Sequence, residues 1–532
     1  MNNVDWLTIM MVVPLIGAVI VAFLPRSGAR VARPVAFGFS LIPLAIALYV
    51  WLALYDNGST TQFQLTATHE WISRWGISYA MGLDGMALAM IVMSAILVPI
   101  CVLAAWDDMP ADGSKDNGYF AWMLVLEAFI VGVFSATDLF LFYIFFEGML
   151  IPIYFLIASY GVGTQRRAAA LKFLLYSLAG GLVMLVAVIG IYVQGPGGSQ
   201  GFLVTSLTGL SMDSTIERLL FVGFFIAFAI KAPMVPVHTW LPDAAHSATP
   251  ATSTLLVGVL DKVGTFGMIR FCLQFFPNAS QWATPVVVAL ALISIIYGGL
   301  AAIGQKHIMR LIAFTSVSHF GFIVLGIFAF TRMSGQGSVL YMLNHGFSTA
   351  ALFLLAGMLV VRSGSPLIRD HGGWGRVTPV LAGCFLVTAM AGLTLPGLAS
   401  FVSEFLVMMG TFQWNPWVAA ISSLGILLSA LYMLLLYQRV FTGPAPGEAV
   451  TERDGAVLLG GAPTTKRSVR DLGGREKAVV APLIALFVIL GVFPNLALQV
   501  INPSVEKSLS IVGVQDPAPA VGSVDAEKGS AK

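Results

Sequence analysis

Charge is what this sequence has least of. Only 10% of its 532 residues are Asp, Glu, Lys or Arg, while 58% are hydrophobic; a soluble domain carries about a quarter charged residues. The three cysteines, Cys101, Cys272 and Cys384, lie far apart inside apolar stretches. They form no CxxC and no metal-ligand spacing, and read as small buried hydrophobes. No P-loop and no dinucleotide fingerprint is present, since the GGWG at 372–375 sits in a basic loop rather than after a strand. Any redox cofactor must therefore sit on another chain. A formal net charge of +2 gives no sign of a nucleic-acid partner.

What the sequence does have is apolar runs long enough to cross a hydrocarbon core, from end to end, with a mean hydropathy of +0.87. It reads as an all-α polytopic membrane protein of about fourteen transmembrane helices. The expected spans are Trp6–Leu24, Val35–Leu54, Met86–Ala105, Tyr119–Ala136, Leu139–Tyr160, Ala168–Val193, Leu219–Val237 and Thr252–Phe275. They continue with Trp282–Gly304, Ile308–Phe330, Val339–Val361, Val377–Gly410, Trp417–Tyr437 and Ala478–Val500. The start, MNNVDW, lacks a basic region and the first run has no small-residue exit, so that run is read as a retained helix. A polar loop with His69 and Glu70 separates the second and third spans.

Lys and Arg concentrate on alternate loops: Arg26, Arg30 and Arg33; Arg166 and Arg167; Lys306 and Arg310; Arg362, Arg369 and Arg376; and Arg439 to Lys477. The other loops carry only Arg74, Arg218 and Arg332. The positive-inside rule places the basic loops in the cytoplasm and, with an even helix count, both termini outside. The acidic loop Asp107–Asp116 fits this scheme poorly. Residues 1–118 form three N-terminal helices and loops, 119–276 a first five-helix unit, and 277–441 a second. A cytoplasmic loop (442–477), a last helix (478–502) and a disordered tail (503–532) complete the chain. The two units match as inverted repeats. The fourth helix of each is broken by proline, after Lys231 in KAPMVP and before Glu404 in LPGLASFVSE, and the second helix of each carries a central ionisable residue, Glu147 or His319. Broken helices at corresponding positions point to an ion site at mid-membrane.

Six buried ionisable residues stand out: Glu147, Lys231, Lys262, His319, His345 and Glu404. An ammonium at membrane depth costs about 2.5–3.5 kcal/mol. Burial favours the neutral form of Glu and Lys, and pairing favours the charged form, so making and breaking a pair moves protons. At about 4 Å and an effective dielectric near 20 the attraction is roughly 4 kcal/mol, comparable to the ~3.5 kcal/mol needed to move one charge against ~150 mV. This suggests a pair switch: Glu147 holds Lys231 protonated, its withdrawal releases the proton to Lys262, and the proton passes through the histidines to Glu404. Competing readings are a static Glu147–Lys231 ion pair and core histidines that only join helices. Glu127 either joins the path or faces a neighbour; Asp84, Lys172 and Arg270 lie nearer helix ends, where an interfacial role is at least as apt.

Five motifs carry a resemblance: FEGMLIPIYFLI around Glu147, RRAAALKFLLYSLAG (166–180), KAPMVPVHTWLPDAAHSATP (231–250), VSHFGF (317–322) and LNHGFSTAALFLLAG (343–357). Over roughly residues 82–439 the chain resembles the antiporter-like membrane subunit family of respiratory complex I, the NADH–quinone oxidoreductase. It is nearest to the M-type members, because Glu404 stands where the L and N types and Mrp-type antiporter subunits typically have lysine. The resemblance implies that Glu147 and Lys231 are the essential fifth- and seventh-helix pair, Lys262 the central lysine and Glu404 the terminal site. Trp240 and Pro242 match the motif of the linking turn, with Asp243 and Arg270 in support. It implies a proton-translocating subunit in a bacterial plasma (inner) membrane, flanked by L-like, N-like and small membrane subunits and by lipids. FMN, iron–sulfur clusters and quinone would lie on other subunits. The alternatives are a subunit of an Mrp-type cation/proton antiporter and a structural span that carries no protons. The 443–477 connection looks long for the family, and its role is open.

Overall fold

The computed structural model describes residues 4–25, 31–109, 115–447, 449–451, 457–459, 469–513 and 516. Helices dominate, because an apolar run has to satisfy its own backbone hydrogen bonds where water is absent. Among the described residues, nine helices are long and apolar enough to cross a membrane. A tenth arises if Gly474–Val492 and Asn495–Val512, bent by 70°, form one span.

The shortfall from fourteen has local causes. Trp6–Ala22 is only 17 residues long. Ser214–Lys231 includes Glu217, Arg218 and Lys231 among its 18 residues. The expected eighth span is wound unevenly: α-helical at Pro250–Leu255 and Lys262–Gly267, π-helical at Leu256–Leu260 and Met268–Leu273. The expected twelfth divides into Pro379–Gly392 and Ala399–Trp414.

Two expectations are corrected. The polar stretch with His69 and Glu70 is a β-hairpin, β1 (Gln64–Ile72) and β2 (Ile77–Leu83), with His69 opposite Tyr79. Its turn ends in Gly76 at φ 67°, a conformation that favours glycine. The last helix does not give way to a tail at 503 but runs on to Val512. A small antiparallel pair, β3 (Ala449–Thr451) and β4 (Val457–Leu459), lies in the polar connection. Residues 448, 452–456 and 460–468 of that connection, Arg26, Arg30, and 514–515 and 517–532 of the tail lie outside the described residues.

The Ile308–Phe328 helix, which carries His319, is buried along its whole membrane-length window, whereas Ala32–Leu54 and Pro416–Phe441 bury only 33% of theirs. Side chains left exposed on such outer helices are still apolar, as with Val186, Val193 and Leu427. That pattern suits a lipid surface and not water.

Ion pairs gather the basic loops at one end. Arg33 binds Asp116 (2.6 Å) and Asp107 (3.3 Å), Arg475 also binds Asp107 (2.5 Å), and Arg362 binds Glu476 (2.6 Å). The acidic loop that fitted poorly with the charge pattern is thus the counter-charge of its basic neighbours. Elsewhere, Arg270 is buried within the protein. It is 2% exposed at its side chain and pairs with Asp84 at 2.6 Å, between the rings of Phe63 and Phe266. Asp84 also caps the Gly85–Ala104 helix by accepting from the Ala87 amide at 2.9 Å. The Lys262 helix lies against the Lys231 helix at Gly264, where an added Cβ would come within 2.6 Å of the Ala232 nitrogen and the Phe228 carbonyl.

This packing predicts two outcomes. Asp84→Asn leaves Arg270 as a buried unpaired charge and is expected to cost about 3–5 kcal/mol, seen as a lower melting temperature in detergent. Gly264→Val forces the two lysine helices apart and is expected to cost about 1–3 kcal/mol, with a lower yield of folded protein by size-exclusion fluorescence.

Candidate functional site

The first half of the site is built on a helix end. Pro233 and Pro236 supply no amide hydrogen, so the Ser214–Lys231 helix cannot continue. The backbone is repaired locally: Trp240 Nε1 donates to the Ile230 carbonyl at 2.9 Å, the Met234 amide to Ala229 at 3.0 Å, and the Val235 amide to Ser294 Oγ at 3.0 Å. Lys231, 1% exposed, has no hydrogen-bond partner on Nζ among the described residues. Its ammonium instead faces the rings of Phe146 at 5.0 Å and Phe173 at 5.6 Å.

Glu147 is the neighbour expected to pair with it. Its carboxylate lies over Gly181, where even a methyl group would collide with it. Glu147 and Lys231 are within electrostatic reach of each other, yet among the described residues they form no ion pair within 4.0 Å. The nearest groups given for the Lys231 amine are thus two aromatic faces and not the carboxylate.

Beyond the break, Trp240, Pro242 and Asp243 lie on the short Trp240–Ser247 helix. Asp243 accepts from Lys172 Nζ at 2.8 Å and from Arg310. Burial pushes its carboxyl up, but these two cations more than reverse that and leave it below the usual carboxylate range. The three residues line a cleft of about 450 Å³ with His246, whose ring lies 4.5 Å from that of His307. Lys172 and Asp243 therefore have a structural partner each, at the end of the molecule where the basic loops gather.

The second half of the site is a cluster of hydrogen bonds and ring contacts, with His345 Nε2 and His319 Nδ1 left without hydrogen-bond partners among the described residues. Lys262 Nζ donates to the Val257 carbonyl at 2.6 Å and meets His345 Nδ1 at 2.8 Å, over the Phe320 ring at 5.1 Å. The His345 and His319 rings stand 5.2 Å apart, and His319 Nε2 shares a hydrogen bond with Tyr432 at 3.0 Å. The Tyr341 ring lies 5.8 Å from His319, and its hydroxyl donates to Glu404 Oε2 at 3.2 Å. Glu404 sits beyond the second break, where Gly397 takes φ 94° and Asn344 Nδ2 donates to the carbonyl of Ala399, the first residue of the Ala399–Trp414 helix, at 2.7 Å.

Four of the six expected residues, Lys262, His345, His319 and Glu404, thus share one connected cluster. Lys231 and Glu147 form a second group. Arg270 belongs to neither. Glu127 is 1% exposed, with both carboxylate oxygens unpartnered among the described residues. Sequence reasoning missed three residues. Tyr341 stands four positions before His345, one turn along the same face, which is a usable signal; Tyr432 has none. Asp261, 0% exposed, is marked only by standing beside Lys262 in an apolar run. Among the described residues, no group of His, Cys, Asp and Glu could hold a metal ion.

Residues 136–429 match the family described as NADH:quinone oxidoreductase/Mrp antiporter, transmembrane. The chain is 46% identical to the NADH-quinone oxidoreductase subunit M of Mycobacterium tuberculosis, over 98% of this chain and 97% of that one. Its structure is similar to a chain of respiratory complex I from Thermus thermophilus with bound NADH, with TM-score 0.83 and 28% identity, over 96% of this chain and all of that one. A chain of the Mrp complex from Dietzia shares the fold at TM-score 0.82, with 22% identity over 96% of this chain and all of that one. With more than half its length inside that family's span and near-complete correspondence to a subunit M, the chain belongs to the NADH:quinone oxidoreductase/Mrp antiporter family, among its subunit M members.

Proposed function

We propose that this chain is a proton-translocating membrane-arm subunit of an NADH–quinone oxidoreductase, and that its protons move along the buried Glu, Lys, His and Tyr groups. The observation that carries the reading is the connected cluster from Lys262 through His345 and His319 toward Glu404. Groups that exchange protons stand at hydrogen-bond or ring-contact distance inside a fully buried core. Broken helices on either side supply free backbone carbonyls and Pro-terminated ends, a combination found where ions pass at mid-membrane.

In this reading the proton is taken up on the side of the basic loops, past the Asp243 cleft, and reaches Lys231. Glu147 modulates the charge on Lys231 from the flank. Lys262 takes the proton next, with His345 Nδ1 as its acceptor. The two histidines and two tyrosines then carry it to Glu404. The fourteen-span topology, the pairing of 119–276 with 277–441 as inverted units, and both termini outside are part of the proposal. So are L-like and N-like neighbours in a bacterial plasma membrane, with FMN, iron–sulfur clusters and quinone on other subunits. Glu404, at a position where lysine typifies Mrp-type subunits, favours this assignment over a cation/proton antiporter.

The test is affinity purification of the tagged chain in mild detergent. Co-elution of flavin, iron–sulfur subunits and NADH oxidation is expected; an eluate of small hydrophobic chains without flavin would put the antiporter reading first. In membranes holding the assembled complex, Lys262→Ala and Glu404→Gln are each expected to reduce proton pumping per NADH oxidised several-fold. Full pumping in both would return the chain to a purely structural role.

A further inference from the structure

The gap in this route lies between Lys231 and Lys262, which face different surroundings: Lys231 the Phe146–Phe173 cage and Lys262 the His345 ring. Immediately before Lys262 in sequence stands Asp261. Asp261 is 0% exposed and neither of its carboxylate oxygens has a hydrogen-bond partner among the described residues. The charged groups that act on it electrostatically are Lys262 and Lys231.

Backbone geometry explains its position. The π-helical stretch Leu256–Leu260 ends at Asp261, whose amide reaches five residues back to the Leu256 carbonyl at 3.1 Å. Three residues on, on the same helical face, Gly264 abuts Ala232, the residue after Lys231. Asp261 therefore stands on the face that meets the Lys231 break. Lys262, about 100° further round, turns to His345. An isolated ionised carboxylate at zero exposure is so costly that its presence needs a reason. A single carboxylate within reach of two lysines supplies one.

We infer that Asp261 is the proton-carrying step between Lys231 and Lys262, a residue that acts within the route proposed above and rests on that reading. The Lys231 ammonium gives its proton to the Asp261 carboxylate, leaving a neutral amine and a carboxylic acid. The acid then gives that proton to the neutral Lys262 amine, restoring the carboxylate. Each transfer separates or recombines one pair of charges and leaves the number of protons unchanged. The flexible four-carbon lysine stems bring either amine to the carboxyl in turn. The step also sets a direction: Lys262 accepts only after handing its earlier proton to His345.

The test uses the assembled complex in membrane vesicles, with pumping followed by a pH-sensitive dye and NADH oxidation measured in parallel. Asp261→Asn removes the exchangeable proton with little change of shape. Asp261→Leu removes it without leaving a polar group buried, so a folding defect in one variant is checked by the other. Both are expected to assemble, to keep electron transfer, and to lower protons pumped per NADH several-fold, while Asp261→Glu restores most of the loss. A protonated-carboxyl band in the redox-induced infrared difference spectrum of the unaltered complex, absent in Asp261→Asn, is the signature that a merely structural residue would not give. If Asn and Leu pump as fully as the unaltered complex while Lys262→Ala does not, Asp261 lies outside the route. If Lys262→Ala also pumps fully, the route itself falls and Asp261 with it.

Discussion

An amine in a fully buried apolar core is the constraint on which this structure turns. Lys262 is 0% exposed, and a polar group left without partners in such a place is so unfavourable that the surroundings have to answer it. They do so with one backbone carbonyl, one imidazole and one aromatic face. Each answer shapes the fold elsewhere. The carbonyl of Val257 lies in a π-helical stretch, so the helix departs from regular winding at the point where the lysine needs it. The imidazole fixes the position of the long Arg332–Ser363 helix against it, and the ring of Phe320 fixes the buried Ile308–Phe328 helix.

The same constraint explains the two breaks. A proline-terminated helix exposes carbonyls that a regular helix would bond internally. Here Trp240 satisfies one of them at the first break by a side-chain donor, and Asn344 ties the start of the helix after the second break, so both breaks are braced features of the core. The first break leaves Lys231 as the last residue of its helix, and the second lies just ahead of the helix that carries Glu404.

Much of this was legible in the residues. Low charge and recurrent apolar runs gave the helical membrane class, and the few charges inside those runs, together with KAPMVP and LPGLASFVSE, marked both breaks. What was not legible depended on three-dimensional pairing. Asp84 and Arg270 are far apart in sequence, and only the fold brings them to 2.6 Å. Tyr432 reaches His319 across 113 residues. The β1–β2 hairpin was hidden by a polar composition that reads equally as a loop, and the helix past 503 by the polar residues that follow the last apolar run, although Asn495–Val512 is helical throughout. Glu147 and Lys231 were expected to pair; Lys231 instead faces the rings of Phe146 and Phe173, and aromatic residues in an apolar run give no hint of which one faces an amine.

The two π-helical stretches flanking Lys262–Gly267 have a consequence for how this protein can change over time. Each stretch carries a surplus residue, and one surplus residue turns the downstream side chains by about 100° relative to the upstream ones. They work as phase adjusters. Lys262 and Arg270, eight positions apart, are presented to unrelated neighbours, His345 in one case and Asp84 in the other. The helix is thereby divided into sectors whose environments can drift independently: a substitution around the Asp84 pair leaves the angular setting of Lys262 untouched. A length change of a single residue inside either stretch, by contrast, re-indexes a whole sector at once. Tolerance to substitution and intolerance to insertion are in this way written into the same few turns of backbone.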